Sequence, residues 1–140
     1  IVFNALNPAD VKRFRIKEVW YFDRESSTMK VRILGIAPIY QEPKEIEDGT
    51  KSPERLLFWV YYPGARQMLA QEQAFAYGNA AANRSWEDVM ESRYFSSYIF
   101  KASNVYDRRI SNYLTGRDAL MEADRIKMEI FNYEHDLWTY

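Results

Sequence analysis

The sequence predicts an α+β fold: a three-stranded antiparallel sheet followed by packed helices, ending in a long C-terminal helix. Three observations carry this. Two early stretches alternate in hydrophobicity with a period of two on either side of a polar turn. A third, apolar stretch follows a proline-containing loop. The last segment repeats its apolar positions at spacings of four and three, the signature of a helix with one buried stripe.

Taken in order, Asn7-Pro8-Ala9-Asp10-Val11 offers a helix N-cap at Asn7 and a proline at the first helical position, so a short turn or helix is expected there. From Phe14 to Asp23, Phe14, Ile16, Trp20 and Phe22 share one parity, while Arg15, Lys17 and Asp23 take the other. Val19 and Tyr21 break the alternation, which implies a partly covered second face or a bulge. Arg24-Glu25-Ser26-Ser27 reads as a turn. The next strand sets Met29, Val31, Ile33, Gly35, Ala37 and Ile39 on one face, and the two strands form an antiparallel hairpin. Glu42 to Pro53, polar and broken by prolines and Gly49, is a surface loop.

The run Leu56-Leu57-Phe58-Trp59-Val60-Tyr61-Tyr62 is apolar on both parities and reads as the third strand, ended by Pro63-Gly64. Ala65 to Tyr77 has helical composition. Ser85 caps the next helix, with Asp88 at the position where a capping box usually has Glu or Gln, and Trp86, Val89, Met90, Tyr94, Ser97 and Tyr98 form its stripe. Ser103 to Thr115 is a loop or short helix closed by a break at Gly116. The final helix, Asp118 to Trp138, buries Ala119, Ala123, Ile126, Ile130, Tyr133 and Leu137, flanked by Leu120 and Phe131. The pattern spans fewer than three heptads, so it is expected to pack on a core rather than to form a coiled coil. Residues 1–140 read as one domain.

Composition narrows the function. Nineteen basic and twenty acidic residues leave a net charge of −1, without the one-sided positive field that nucleic acid requires. No apolar run is long enough to insert in a membrane. The chain contains no cysteine, which removes disulfides, thiolate metal sites and thiol catalysis. Aromatic residues reach 16%, a surplus available either to the core or to a recognition surface.

Chemistry-bearing motifs are sparse, and no cofactor is expected. The single histidine, His135, has Phe131, Asn132 and Thr139 at the helical positions where a second metal ligand would stand, so a structural role is expected for it. A triad built from Ser96 or Ser97 with His135 lacks a Gly-x-Ser-x-Gly elbow, and both serines are expected inside a helix. The five glycines are isolated and make no phosphate-binding loop. Glu87, Asp88 and Glu91 suit the first turns of a helix without catalysis. A non-catalytic protein is therefore expected. The rival readings are a small hydrolase using His135 with carboxylates, or a ligand-binding module, and either would need a deep pocket with convergent polar groups.

What remains is surface. Trp59 and Tyr61 are either a second core face or an anchor pair for another chain. Arg93 with Tyr94 and Tyr98, and the run Tyr106-Asp107-Arg108-Arg109, join Tyr and Arg in the combination enriched at interface hot spots. The alternative for Arg108 and Arg109 is a solvated or salt-bridged face. The partner-interface candidates are Trp59, Tyr61, Arg93, Tyr98, Tyr106 and Arg108.

Six segments are familiar together: Ile16-Lys17-Glu18-Val19-Trp20-Tyr21-Phe22-Asp23, Met29-Lys30-Val31-Arg32-Ile33-Leu34-Gly35-Ile36-Ala37-Pro38, Leu57-Phe58-Trp59-Val60-Tyr61-Tyr62-Pro63, Arg93-Tyr94-Phe95-Ser96-Ser97-Tyr98-Ile99, Ser103-Asn104-Val105-Tyr106-Asp107-Arg108 and Glu134-His135-Asp136-Leu137-Trp138. In this order and spacing they resemble the GldN/PorN family of the type IX secretion and gliding motility machinery of Bacteroidetes. The resemblance implies a structural subunit in the periplasm, peripherally associated with the outer membrane. It implies a ring-like complex with a GldK/PorK-like outer-membrane lipoprotein, self-association within that ring, and contact with the periplasmic domain of a GldM/PorM-like subunit. It also implies a signal peptide and further C-terminal sequence in full-length members, neither of which is expected within these residues. No catalytic residues come with the resemblance.

Overall fold

The computed structural model describes residues 6–43, 49–74, 83–103 and 108–138, with side chains as far as residue 133. Its residues group into two compact units, Ile1–Tyr21 with Val31–Val89, and Phe22–Lys30 with Met90–Tyr140. The α+β class holds: strands and a hairpin come first, and the long helix comes last.

In the first unit the chain enters through a 3-10 turn, Pro8–Asp10, where the Asn7 side chain accepts from the Ala9 N–H at 3.1 Å, as its capping chemistry predicts. Strand β1 (Val11–Asp23) and strand β2 (Thr28–Tyr40) are neighbours in one sheet. The connection Arg24–Ser27 is too short for a crossover, so the pair is an antiparallel hairpin. On β2 the alternation is sharp, and Ile33, Gly35, Ala37 and Ile39 are buried. Most of β1 is exposed or half-buried on both faces.

Two short strands complete the sheet, β3 (Arg55–Leu56) and β4 (Val60–Tyr61), both antiparallel to β2. The expected continuous strand from Leu56 to Tyr62 is therefore interrupted at Leu57–Trp59. The registers explain why. Ile39 pairs with Leu56 and Ile36 with Val60, so three residues lie between the pairings on one chain and two on the other. The extra residue is a bulge opposite Pro38, whose ring nitrogen has no hydrogen to give the ladder. One bond survives there, from the Leu57 N–H to the Pro38 carbonyl at 3.1 Å.

Helix α1 (Tyr62–Gln71) starts earlier than expected, because Pro63 occupies its first turn instead of ending a strand. Tyr62 at its start is only 1% exposed. After it, β5 (Gln73–Ala74) pairs with β6 (Arg84–Ser85), a two-stranded ladder that the sequence pattern did not suggest. The Trp86 N–H donates to the Glu72 carbonyl at 3.0 Å beside it. Helix α2 (Trp86–Glu91) opens on a reciprocal cap: Asp88 N–H to Ser85 Oγ at 3.1 Å and Ser85 N–H to Asp88 Oδ2 at 2.9 Å. Aspartate thus completes a capping box usually closed by a longer side chain. The Ser85 N–H, and after it the Ser85 hydroxyl donating to the same Oδ2 at 2.9 Å, hold the Asp88 carboxyl below its ordinary pKa.

Helix α2 ends at Glu91, and the expected stripe running on to Tyr98 does not form. Arg93 adopts φ 55°, a left-handed conformation that stops a right-handed helix. Its N–H donates to the Met90 carbonyl at 3.2 Å, closing the last turn.

In the second unit, residues 94–103 carry no regular secondary structure. The Ile110 N–H donates to the Phe100 carbonyl at 2.9 Å, and a 3-10 turn follows at Ile110–Asn112. Helix α3 (Gly116–Trp138) begins at the glycine read as a break, which holds φ 56°. Ala123 is buried, and Ala119, Ile126 and Ile130 are half-buried, so the predicted stripe holds this far. Tyr133, placed in the stripe by its spacing, is exposed instead, as are the flanking Leu120 and Phe131. The Leu137 side chain lies outside the described residues. The hairpin tip also belongs to this unit. There Lys30 bonds Asp23, and Ser26 Oγ donates to it at 2.8 Å, which together lower its pKa from 3.8 to about 2.

Candidate functional site

The bulge decides where the aromatic side chains of the third stretch go. A residue's side of a sheet follows its parity, so one inserted residue exchanges the two faces beyond it. Leu56 pairs with Ile39 and Tyr61 with Gly35, which sets both on the face where Ile33, Gly35, Ala37 and Ile39 are buried. Trp59 shares the parity of Tyr61.

Both rings rest on glycines. A methyl group at Gly35 would come within 3.2 Å of the Trp59 ring, so the indole occupies the space that any larger residue would need. A methyl at Gly64 would lie 3.4 Å from the Tyr61 ring. Their outer sides face water: Phe58 is 56% exposed, Trp59 50% and Tyr61 70%. Trp59 and Tyr61 thus each have a covered side toward the sheet and a side open to solvent. The Arg66 guanidinium donates to Glu87 Oε1 at 2.8 and 2.5 Å and joins α1 to α2.

In the second unit the Arg–Tyr candidates are local. The Arg93 guanidinium lies 5.4 Å from the centre of the Phe95 ring, and that of Arg108 lies 5.9 Å from the Tyr113 ring, both within cation–π range. Tyr94 and Tyr98 are exposed. Tyr106 lies outside the described residues, as does the side chain of His135. Ser96 and Ser97 were expected mid-helix and are not, since α2 stops before them; the Ser97 carbonyl accepts from Lys127 Nζ at 3.2 Å.

A shallow concavity of about 240 Å³ lies where Asp10, Lys12 and Arg13 face Lys51 and Glu54. It is smaller than usual small-molecule sites, and an Arg13–Glu54 ion pair draws two of its lining charges together. Among the described residues no cluster of His, Asp or Glu is placed to hold a metal ion.

Comparison with protein families decides the relationship. The family described as gliding motility associated protein GldN matches residues 1–139. The chain belongs to the GldN family. No curated protein gave a significant match to the sequence. For this GldN-family chain, no helix among the described residues is long and apolar enough to cross a membrane. The family match spans every segment on which the resemblance rested, including the bulged stretch that carries Trp59 and Tyr61.

Proposed function

We propose that this chain is a non-catalytic structural subunit of the type IX protein secretion and gliding apparatus. It acts in the periplasm, peripherally at the outer membrane. There it builds a ring-like complex with a GldK/PorK-like lipoprotein and meets the periplasmic domain of a GldM/PorM-like subunit. Family membership supports the setting. The observation that carries the mode of action is the pair Trp59 and Tyr61, large aromatic side chains half or more exposed beside a hydrogen-bonded strand pair. Aromatic anchors of this kind supply much of the binding energy where proteins meet. A closed ring of like copies needs two different patches on each one, and the Arg93, Tyr98 and Arg108 region provides a second set of residues of the right types.

The test is capture of the chain by the lipoprotein partner, with Trp59→Ala and Tyr61→Ala. Anchor residues lose at least about 2 kcal/mol on truncation, so capture should fall by about thirtyfold while circular dichroism stays unchanged. Undiminished capture by the folded variants would reject the anchor role.

A further inference from the structure

Helix α3 buries one stripe and leaves another open. Ala123 is buried and Ala119, Ile126 and Ile130 are half-buried, whereas Leu120, Met121, Met128 and Phe131 are each more than half exposed. With 3.6 residues to the turn, these four share an arc of about 100° along roughly 16 Å of helix axis. All of them lie in the second unit. Apolar side chains scattered singly on a surface need no explanation. Four on one arc expose roughly 400 Å² together, a size at which a patch is often functional.

Midway along the arc stands Asp124, exposed, with no hydrogen-bond or ion-pair partner for its carboxylate. Its neighbours on the helix surface, three and four residues away, are Leu120, Met121, Lys127 and Met128. The one cation among them donates instead to the Ser97 carbonyl at 3.2 Å. On the adjoining arc the acids are satisfied, because Arg125 holds both Glu122 and Glu129. A single uncompensated carboxylate therefore sits between two apolar pairs.

We infer that this arc docks a helix of a partner protein that carries a lysine or arginine between apolar residues. Covering the four side chains takes Asp124 out of water, which is costly unless an opposite charge arrives with the cover. A helix that brings the cation satisfies the acid and buries the apolar pair on either side of it. A second copy of this chain does not fit. Reversed about the centre of the arc, or laid parallel in register, it sets the two Asp124 carboxylates close together, and like charges across an interface repel. The inference holds whether or not Trp59 and Tyr61 anchor the lipoprotein.

The probes are two synthetic amphipathic helical peptides that differ at one residue. Both carry leucines at the spacing of Leu120, Met121, Met128 and Phe131; one has lysine at the place of Asp124 and the other glutamate. By fluorescence anisotropy with the whole chain, the lysine peptide should bind at least about tenfold more tightly than the glutamate peptide. Asp124→Lys should invert that preference, and Phe131→Glu should abolish binding of both, with circular dichroism unchanged in each variant. Equal binding of the two peptides, binding of neither, or an unaltered preference in Asp124→Lys would overturn the inference. So would a dimer in sedimentation equilibrium that Phe131→Glu dissolves, since the occupant would then be a second copy.

Discussion

Gly35 offers the sharpest test of how the aromatic patch is held. Replacing it with valine adds branches where a single methyl would already sit 3.2 Å from the Trp59 ring and 3.5 Å from the Val60 carbonyl. Optimal carbon–carbon contacts lie at about 3.5–4.0 Å, so alanine forces a shift of only a few tenths of an ångström. Its cost is offset by the roughly 0.4–1 kcal/mol gained from a stiffer unfolded chain, and Gly35→Ala should be close to neutral. Valine cannot be accommodated that way, and the indole must leave its seat. About half of Trp59 is covered. A tryptophan buries about 200 Å² when fully covered, so about 100 Å² at 25 cal/mol per Å² gives a ceiling of about 2.5 kcal/mol. The better strand propensity of valine returns up to about 1 kcal/mol. Urea denaturation of Gly35→Val should show a loss of about 1–2.5 kcal/mol. In a Trp59→Ala background the same change should be neutral or stabilising, and the difference is the coupling between the two residues. An equal loss with and without Trp59 would refute the seat.

Two further outcomes follow from hydrogen bonds already described. Ser85→Ala removes the hydroxyl that caps α2 and should cost about 1 kcal/mol in the same denaturation assay, with Ser85→Thr retaining most of the stability. The depressed pKa of Asp23 means that the folded hairpin binds this proton less readily than the unfolded chain. Its small, exposed contribution is therefore present above an ordinary pKa of 3.8 and is lost as pH falls toward about 2. Carboxyl NMR should show that midpoint, and Lys30→Ala should bring it back toward the ordinary value.

Legibility in the sequence followed the range of the forces involved. The Asn7 cap, the Arg24–Ser27 turn and the two hairpin strands are local, and each appeared near its expected place. The stripe of α3 was legible through Ile130, because burial of one helix face repeats with the helix period. The bulge was also signalled, since Pro38 stands within a strand that must pair on both edges. That signal points across the sheet to residues 57–59, and reading one strand at a time cannot use it. Pro63 carries two meanings, strand end and helix start, and only tertiary packing chose the second. The stop after α2 uses a non-glycine residue in a left-handed conformation, which composition does not announce. The β5–β6 ladder is two residues deep on each side, below any periodic pattern. The side of the sheet that Trp59 and Tyr61 take depends on that same bulge, so it was not decidable from parity alone.

A ring resting on a backbone glycine has one face occupied and a reduced choice of rotamers before anything else touches it. Trp59 over Gly35 and Tyr61 beside Gly64 have thus surrendered part of their motional freedom during folding. Whatever covers their outer faces meets side chains that are already aimed. The entropy lost on contact is correspondingly smaller than two freely turning aromatics would require, so a modest footprint can hold with useful lifetime.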